Sequence, residues 1–404
     1  MLDKFRIRRP AYTPGEPLPP LESVRSGFTS TSCCPDVISA YKVIRDVEVR
    51  TTEQAEANLV AIRTLGYLLL YPISQQAVSV VVADVLACYD RSGRSGGHGS
   101  SEQADSDKLY ELGTSYLRHL VLLCEFIFLL TLLSIHTDES DDYIVRGRHG
   151  PYPPMSDDSS RPPLDVVRDE YRKLLSTSPT DYSTARKQAL LRDDFRCIIT
   201  RVPDIRFISF PLPPGTPRPD YTECCHIFPA LSGINAEDAV GDEQWIVSVW
   251  ELLDRIGYGG LQKELSGANV NRLDNVMTLS SWMFGLFDSM EVWFEEMPTK
   301  RDCYQIKLAP RFKDDYAGLG LSREVQFHHV LGDEEGLEAP LPNPAYLRLH
   351  AACCRIAHAA GAVEYVKKMV DEKEEIQVLD RDGGSSRVLE FVLRRLGGVP
   401  SVSR

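Results

Sequence analysis

A run such as 139-ESDDYIVRGRHGPYPPMSDDSSRPP-163 cannot pass through a packed interior, because its charges would be buried unpaired and its prolines withdraw backbone donors. It therefore breaks the chain into blocks, and we place a domain boundary over 138–183 as an acidic, proline-rich linker. A second break, 91-RSGRSGGHGSSEQADSD-107, is a flexible linker by composition. The Pro-, Ser- and Thr-rich residues 1–35 read as poorly ordered.

The blocks between the breaks carry helical periodicity. Residues 36–137 form a helical region. Thr51 and Gln54 make a capping box for 55-AEANLVAIRTLGYLLLY-71, and Ser74 caps 75-QQAVSVVVADVLACYD-90. A third helix begins near Lys108 and runs into an apolar stretch, Leu120–Ile135, whose only charge is Glu125. Its length falls short of the ~20 residues of a bilayer span. We expect a buried core helix, with a membrane segment or an insertion as alternatives. Residues 313–404 are mainly helical, with Pro344 at a natural first-turn position.

The ten cysteines stand singly or as adjacent pairs with no CxxC spacing, as in a reduced, intracellular protein of the cytoplasm or nucleus. The N-terminus has proline where a signal peptide needs its apolar core. With a net charge of -13 the chain has no global positive field, so any contact with a polyanion must be local.

The chemistry-bearing part is 184–312. There we read 195-FRCIITRV-202 as a strand and 206-RFISF-210 as strand-like. A strand follows at 223-ECCHIFP-229 with His226 on it. The stretch 269-NVNRLDNVMTLSSWMFGLFD-288 reads as a polar loop ending at Asn275, then a helix capped near Ser280. An amphipathic helix, 185-ARKQALLRDD-194, precedes the set, and Leu164–Leu175 has a short helical pattern.

In that order these segments resemble the ββα-metal finger of HNH endonucleases, and specifically the HNH domains of many uncharacterised fungal proteins. The likeness rests on CIIT, ECCHIFP and DNVMTLS…LFD, and extends to MEVWFEEM and LPNPAYLRLHAACCRIAHAAGAVEY downstream. It implies an α+β protein with a central HNH domain over 184–312 between helical regions. It also implies a metal-dependent endonuclease acting on nucleic acid, DNA before RNA, with a divalent cation such as Mg²⁺. His226 matches the general base and Asn275 the orienting amide, a pairing suited to phosphodiester hydrolysis. The family's closing histidine ligand falls at Phe284, which cannot hold a cation. Cys225 or Glu223 beside the base, or Asp274 or Asp288, are the substitute ligands. The alternative is an inactive relative that keeps the fold as a nucleic-acid-binding or protein-interaction module.

The bases clustered ahead of the finger, Arg186, Lys187, Arg192 and Arg196, with Arg201 and Arg206 beyond, are the candidate nucleic-acid contacts. The region as a whole holds 14 Lys/Arg against 18 Asp/Glu, so binding through this patch should be weak and salt-sensitive. A zinc site of Cys197, Cys224, Cys225 and His226 is disfavoured, because adjacent cysteines on a strand point to opposite faces. His328, His329, His350 and His358 fit no ligand pattern.

Overall fold

The computed structural model describes residues 15–31, 36–52, 55–90, 106–120, 163–208, 211–228, 249–328 and 339–377. In chain order the helices are α1 (Leu21–Thr31), α2 (Val37–Arg50), α3 (Glu56–Leu70), α4 (Gln75–Asp90), α5 (106–120), α6 (Leu164–Leu174) and α7 (Tyr182–Arg192). Then come α8 (249–253), which runs into a π-turn over Asp254–Tyr258, α9 (Leu261–Leu265), α10 (Ser281–Asp288), α11 (Pro344–Ala360) and α12 (Ala362–Gln377). The strands are β1 (Thr222–His226), β2 (Val276–Ser280), β3 (Val292–Glu296), β4 (Cys303–Leu308) and β5 (Glu324–Gln326). The protein is thus mixed α+β and divides into two compact units, 1–121 with 355–404, and 122–354, the boundary falling within α11. No helix of the described residues is long and apolar enough to cross a membrane. Of the apolar stretch Leu120–Ile135, all but Leu120 lies outside the described residues.

The first unit is helical, as its periodicity predicts. Its core is built on Tyr41, Ile44, Ile62, Leu65 and Val81. Gly113 lets α5 approach α3 closely, since a Cβ there would lie 2.2 Å from the Ala61 carbonyl oxygen. Ser74 caps α4 as expected, accepting from the Ala77 amide at 2.9 Å. Thr51 does not cap α3. Its hydroxyl turns back to the Val47 carbonyl at 2.8 Å and meets Tyr110 at 2.7 Å, so it closes α2 instead. Residues 15–31, predicted to be poorly ordered, pack on the bundle with Leu18 and Phe28 buried. Leucine and phenylalanine anchors outweigh the proline content there.

The second unit holds two antiparallel sheets, β1-β2 and β3-β4-β5. The helix α10 ties them together, because it continues directly from β2 and its Phe287 stacks on Phe294 of β3 (5.8 Å); the same ring stacks on His350 of α11 (4.1 Å). Residues 164–174 are not part of a linker. Val167 is buried with Leu190, Leu191 and Phe195, and Leu164, Tyr171 and Leu175 pack against them. The run 195–202 is not a strand. It is a tight turn closed by the Arg196–Pro203 bridge, with the Arg201 amide donating to the Cys197 carbonyl at 3.0 Å. Asp194, Phe195 and Arg201 all take positive φ there, which a β-strand forbids. Ile205–Phe207 is a 3₁₀ turn. The true partner of β1 is β2, which the sequence reading had folded into the loop and helix.

Candidate functional site

His226 ends β1, opposite Val276 of β2. Strand alternation places Cys224 and His226 on the face covered by α7. Cys224 packs with Ala185 and Ala189, and the Tyr182 ring lies 6.0 Å from the imidazole. The half-buried His226 bonds through Nε2 to Asn271 Oδ1 at 3.1 Å. Burial pushes its pKa below the usual histidine range, with the Asn271 bond opposing, so the ring is neutral at physiological pH. Asn271 was passed over in the sequence, although it stands four residues before Asn275 in the same polar loop.

Asn275 is fully buried and its amide is engaged on every side. Its Nδ2 donates to the carbonyls of Phe228 and Val270, both at 2.9 Å, and its Oδ1 accepts from the Phe228 amide at 3.1 Å. The side chain therefore fixes the backbone two residues past His226 and the loop that carries Asn271. What the Asn275 amide touches is backbone, that of Phe228 and Val270. Asn275→Ala should destabilise the second unit by about 2–3 kcal/mol, because three buried backbone groups lose their partner. Tryptophan fluorescence in urea checks this, since all four tryptophans lie between 245 and 293.

Two ion pairs frame the clamp. Arg272 grips Asp274 through two bonds, Nε to Oδ1 at 2.5 Å and Nη2 to Oδ2 at 2.9 Å. Arg192 is 1% exposed, so it is no surface contact for a phosphate. Its guanidinium pairs with Asp193 (2.8 and 2.9 Å) and donates to the carbonyls of Leu273 (2.7 Å), Val276 (2.9 Å) and Pro340 (3.1 Å). Asp193 in turn accepts from the Thr278 amide at 3.0 Å, and the Ile198 amide donates to the Thr278 carbonyl at 2.8 Å. The open edge of β2 is thus closed by Asp193 and the 195–202 turn.

Cys225, Asp274 and position 284 do not offer a divalent cation a site. Cys225 is buried on the face opposite His226, with its thiol pushed well above the usual range by burial, then by Asp288 and Cys224. Asp274 is held by Arg272, and Phe284 on α10 offers no donor. Glu223 is half-buried, its carboxyl pushed up by burial although Arg186 and Arg206 draw it down. Among the described residues no three His, Cys, Asp or Glu side chains come together as a metal-holding group.

A basic cluster lies nearby instead. Asp194, in left-handed backbone at the end of α7, receives Arg168, Arg196 (3.4 Å) and Arg201 (3.7 Å), all part-exposed. Three cations around one anion leave an excess of two positive charges. Aromatic rings interleave with them, since Arg168 lies over Phe195 (5.3 Å), Phe195 stacks on Tyr171 (5.8 Å), and Lys187 lies over Tyr171 (5.9 Å). Arg186 is half-buried, with Nη2 lacking a hydrogen-bond partner among the described residues. Arg206 is drawn away to Asp204 and over the Tyr221 ring. Of the expected contacts, the structure brings Arg196 and Lys187 to this surface and removes Arg192. Arg168 was missed because α6 read as linker, although the apolar residues Leu164, Val167, Tyr171 and Leu175 recur at helical spacing and signal a face that packs. No family model, no curated protein and no solved structure matches the chain.

Proposed function

We propose that the second unit is an HNH-type ββα scaffold that binds nucleic acid and does not cut it. The observation that carries this reading is the convergence of Arg168, Arg196 and Arg201 on the single carboxylate of Asp194. Such an excess of guanidinium charge on a part-exposed surface suits phosphate oxygens, which Arg contacts in a forked geometry. The rings of Tyr171 and Phe195 hold the cations in place. The order β1, β2, α10, with Asn275 fixing the end of the His226 strand, supports the HNH-type ancestry. The positions that would complete a metal site are engaged otherwise: Asp274 by Arg272, Cys225 by burial, and position 284 by phenylalanine.

Hydrolysis is the second reading, favoured by the neutral imidazole of His226. One gel separates the two. Supercoiled plasmid is incubated with the full chain and Mg²⁺, Mn²⁺ or Ni²⁺, beside His226→Ala. Binding without cutting retards the plasmid and leaves it supercoiled with either protein. Conversion to nicked circles by the wild type, abolished in His226→Ala, would replace this proposal with the nuclease.

A further inference from the structure

The first unit carries an extended segment seated on its own helices, an observation independent of this reading. Residues 15-GEPLPP-20 cross the helices without forming helix or strand. Glu16, Leu18 and Pro19 each precede a proline, which biases them to extended backbone. Nearly every polar backbone group of this segment is met by the body of the unit. Arg63 Nη1 donates to the Gly15 carbonyl at 2.7 Å, and the Tyr67 hydroxyl donates to Glu16 (2.9 Å) and Pro17 (3.3 Å). The Tyr41 hydroxyl and Arg45 Nε donate to the Pro19 carbonyl at 2.8 and 2.9 Å. The Leu18 amide donates to both oxygens of Glu48 at 3.1 and 3.2 Å, and the Glu16 amide to the Ala359 carbonyl at 2.9 Å.

Only one side chain of the segment is buried. Leu18 is 2% exposed and sits over Gly66, where a Cβ would come within 2.4 Å of it, while Glu16, Pro17 and Pro20 face solvent. The receiving groups are themselves preset. Glu48 is held by Arg63 Nε at 2.7 Å, and burial pushes the Tyr41 and Tyr67 phenols up, which keeps both as donors. A groove that reads a backbone through fixed side-chain donors and takes one leucine into a seat has the design of a site for an extended peptide.

We propose that α2 and α3 form a peptide-recognition groove for an extended, proline-bracketed segment with a single leucine anchor, and that residues 15–20 fill it in cis. The groove closes on its own chain because the adjoining α1 holds the segment at high effective concentration, on the order of millimolar or above. The same sequence supplied in trans binds when the cis segment is released.

The test uses the full chain carrying Leu18→Asp and a fluorescent peptide of sequence PGEPLPPL, followed by anisotropy. The expected result is saturable binding at least tenfold tighter than to the wild type, whose groove is filled. Adding Tyr41→Phe and Tyr67→Phe should weaken that binding about tenfold or more by removing three hydrogen bonds, and a peptide with Asp in place of leucine should not bind. A Leu18→Asp chain with wild-type far-ultraviolet circular dichroism that fails to bind the peptide overturns the proposal, as does a wild type that binds it equally well. Should Leu18→Asp lose its helical signal, the same titration on Leu18→Ala decides by the same two criteria.

Discussion

Arg192→Ala should lower the stability of the second unit by about 3–5 kcal/mol, the cost of leaving a buried carboxylate without its cation. Asp193 would stay 2% exposed beside the Thr278 amide with no guanidinium opposite it. The carbonyls of Leu273, Val276 and Pro340 would lose their donor at the same moment. The carbonyls of Leu273 and Val276 flank Asn275 and the start of β2, so the damage falls on the loop that holds Asn271 against His226. Arg192→Lys keeps the charge but not the fork, and should recover only part of the loss. The check is the urea midpoint followed by tryptophan fluorescence. A variant of wild-type stability but weakened nucleic-acid affinity would return Arg192 to the surface role that its sequence position suggests.

Acid should weaken the same unit through His350. This residue is 1% exposed and stacked on Phe287, and among the described residues its ring nitrogens meet the Cys354 thiol alone, at 3.6 and 3.7 Å. Burial pushes its pKa down to about 3. In the unfolded chain it titrates near ~6.5. Between these values the unfolded state binds the extra proton, so stability is complete above about pH 7 and falls as pH drops through 6.5 toward 3. The linkage amounts to roughly 2 kcal/mol at pH 5 and up to about 5 kcal/mol near pH 3. Carboxylates titrate in the lower part of this window as well, so the comparison is with His350→Met, which fills similar space and suits the Phe287 ring. The variant should keep its stability between pH 7 and 5 where the wild type loses it. Parallel pH profiles for the two proteins would contradict the assignment.

Much of the local structure is legible in the sequence, and the failures share a cause. Ser280 caps α10 by accepting from the Met283 amide, and Pro344 opens α11, because these signals act within one turn of chain. His226 on a strand was likewise readable from its apolar neighbours. The sequence misleads where a distant partner decides. CIIT has β-branched residues suited to a strand, yet its turn is fixed by contacts of Ile198 and Asp193 with Thr278, some eighty residues on. Arg192 follows Leu190 and Leu191 on a helix and reads as a charged edge. Only the fold brings three carbonyls from 273–276 and 340 around it. Arg168 lay in a stretch dismissed for its prolines and acids, although Val167 and Tyr171 beside it are packed. The metal question was partly legible: Phe284 is visible in the sequence, whereas the capture of Asp274 by Arg272 is visible only in the structure.

The central claim is that the Arg168, Arg196 and Arg201 cluster is a phosphate-binding surface. Its most direct test is the salt dependence of binding to a labelled DNA duplex, and to RNA of the same sequence, for the wild type and for Arg168→Glu/Arg196→Glu/Arg201→Glu. With three phosphates engaged, the plot of log affinity against log salt for duplex DNA should have a slope near about -3, and the triple variant should flatten it toward zero. Equal slopes for the two proteins would contradict the account and place any nucleic-acid contact elsewhere on the chain.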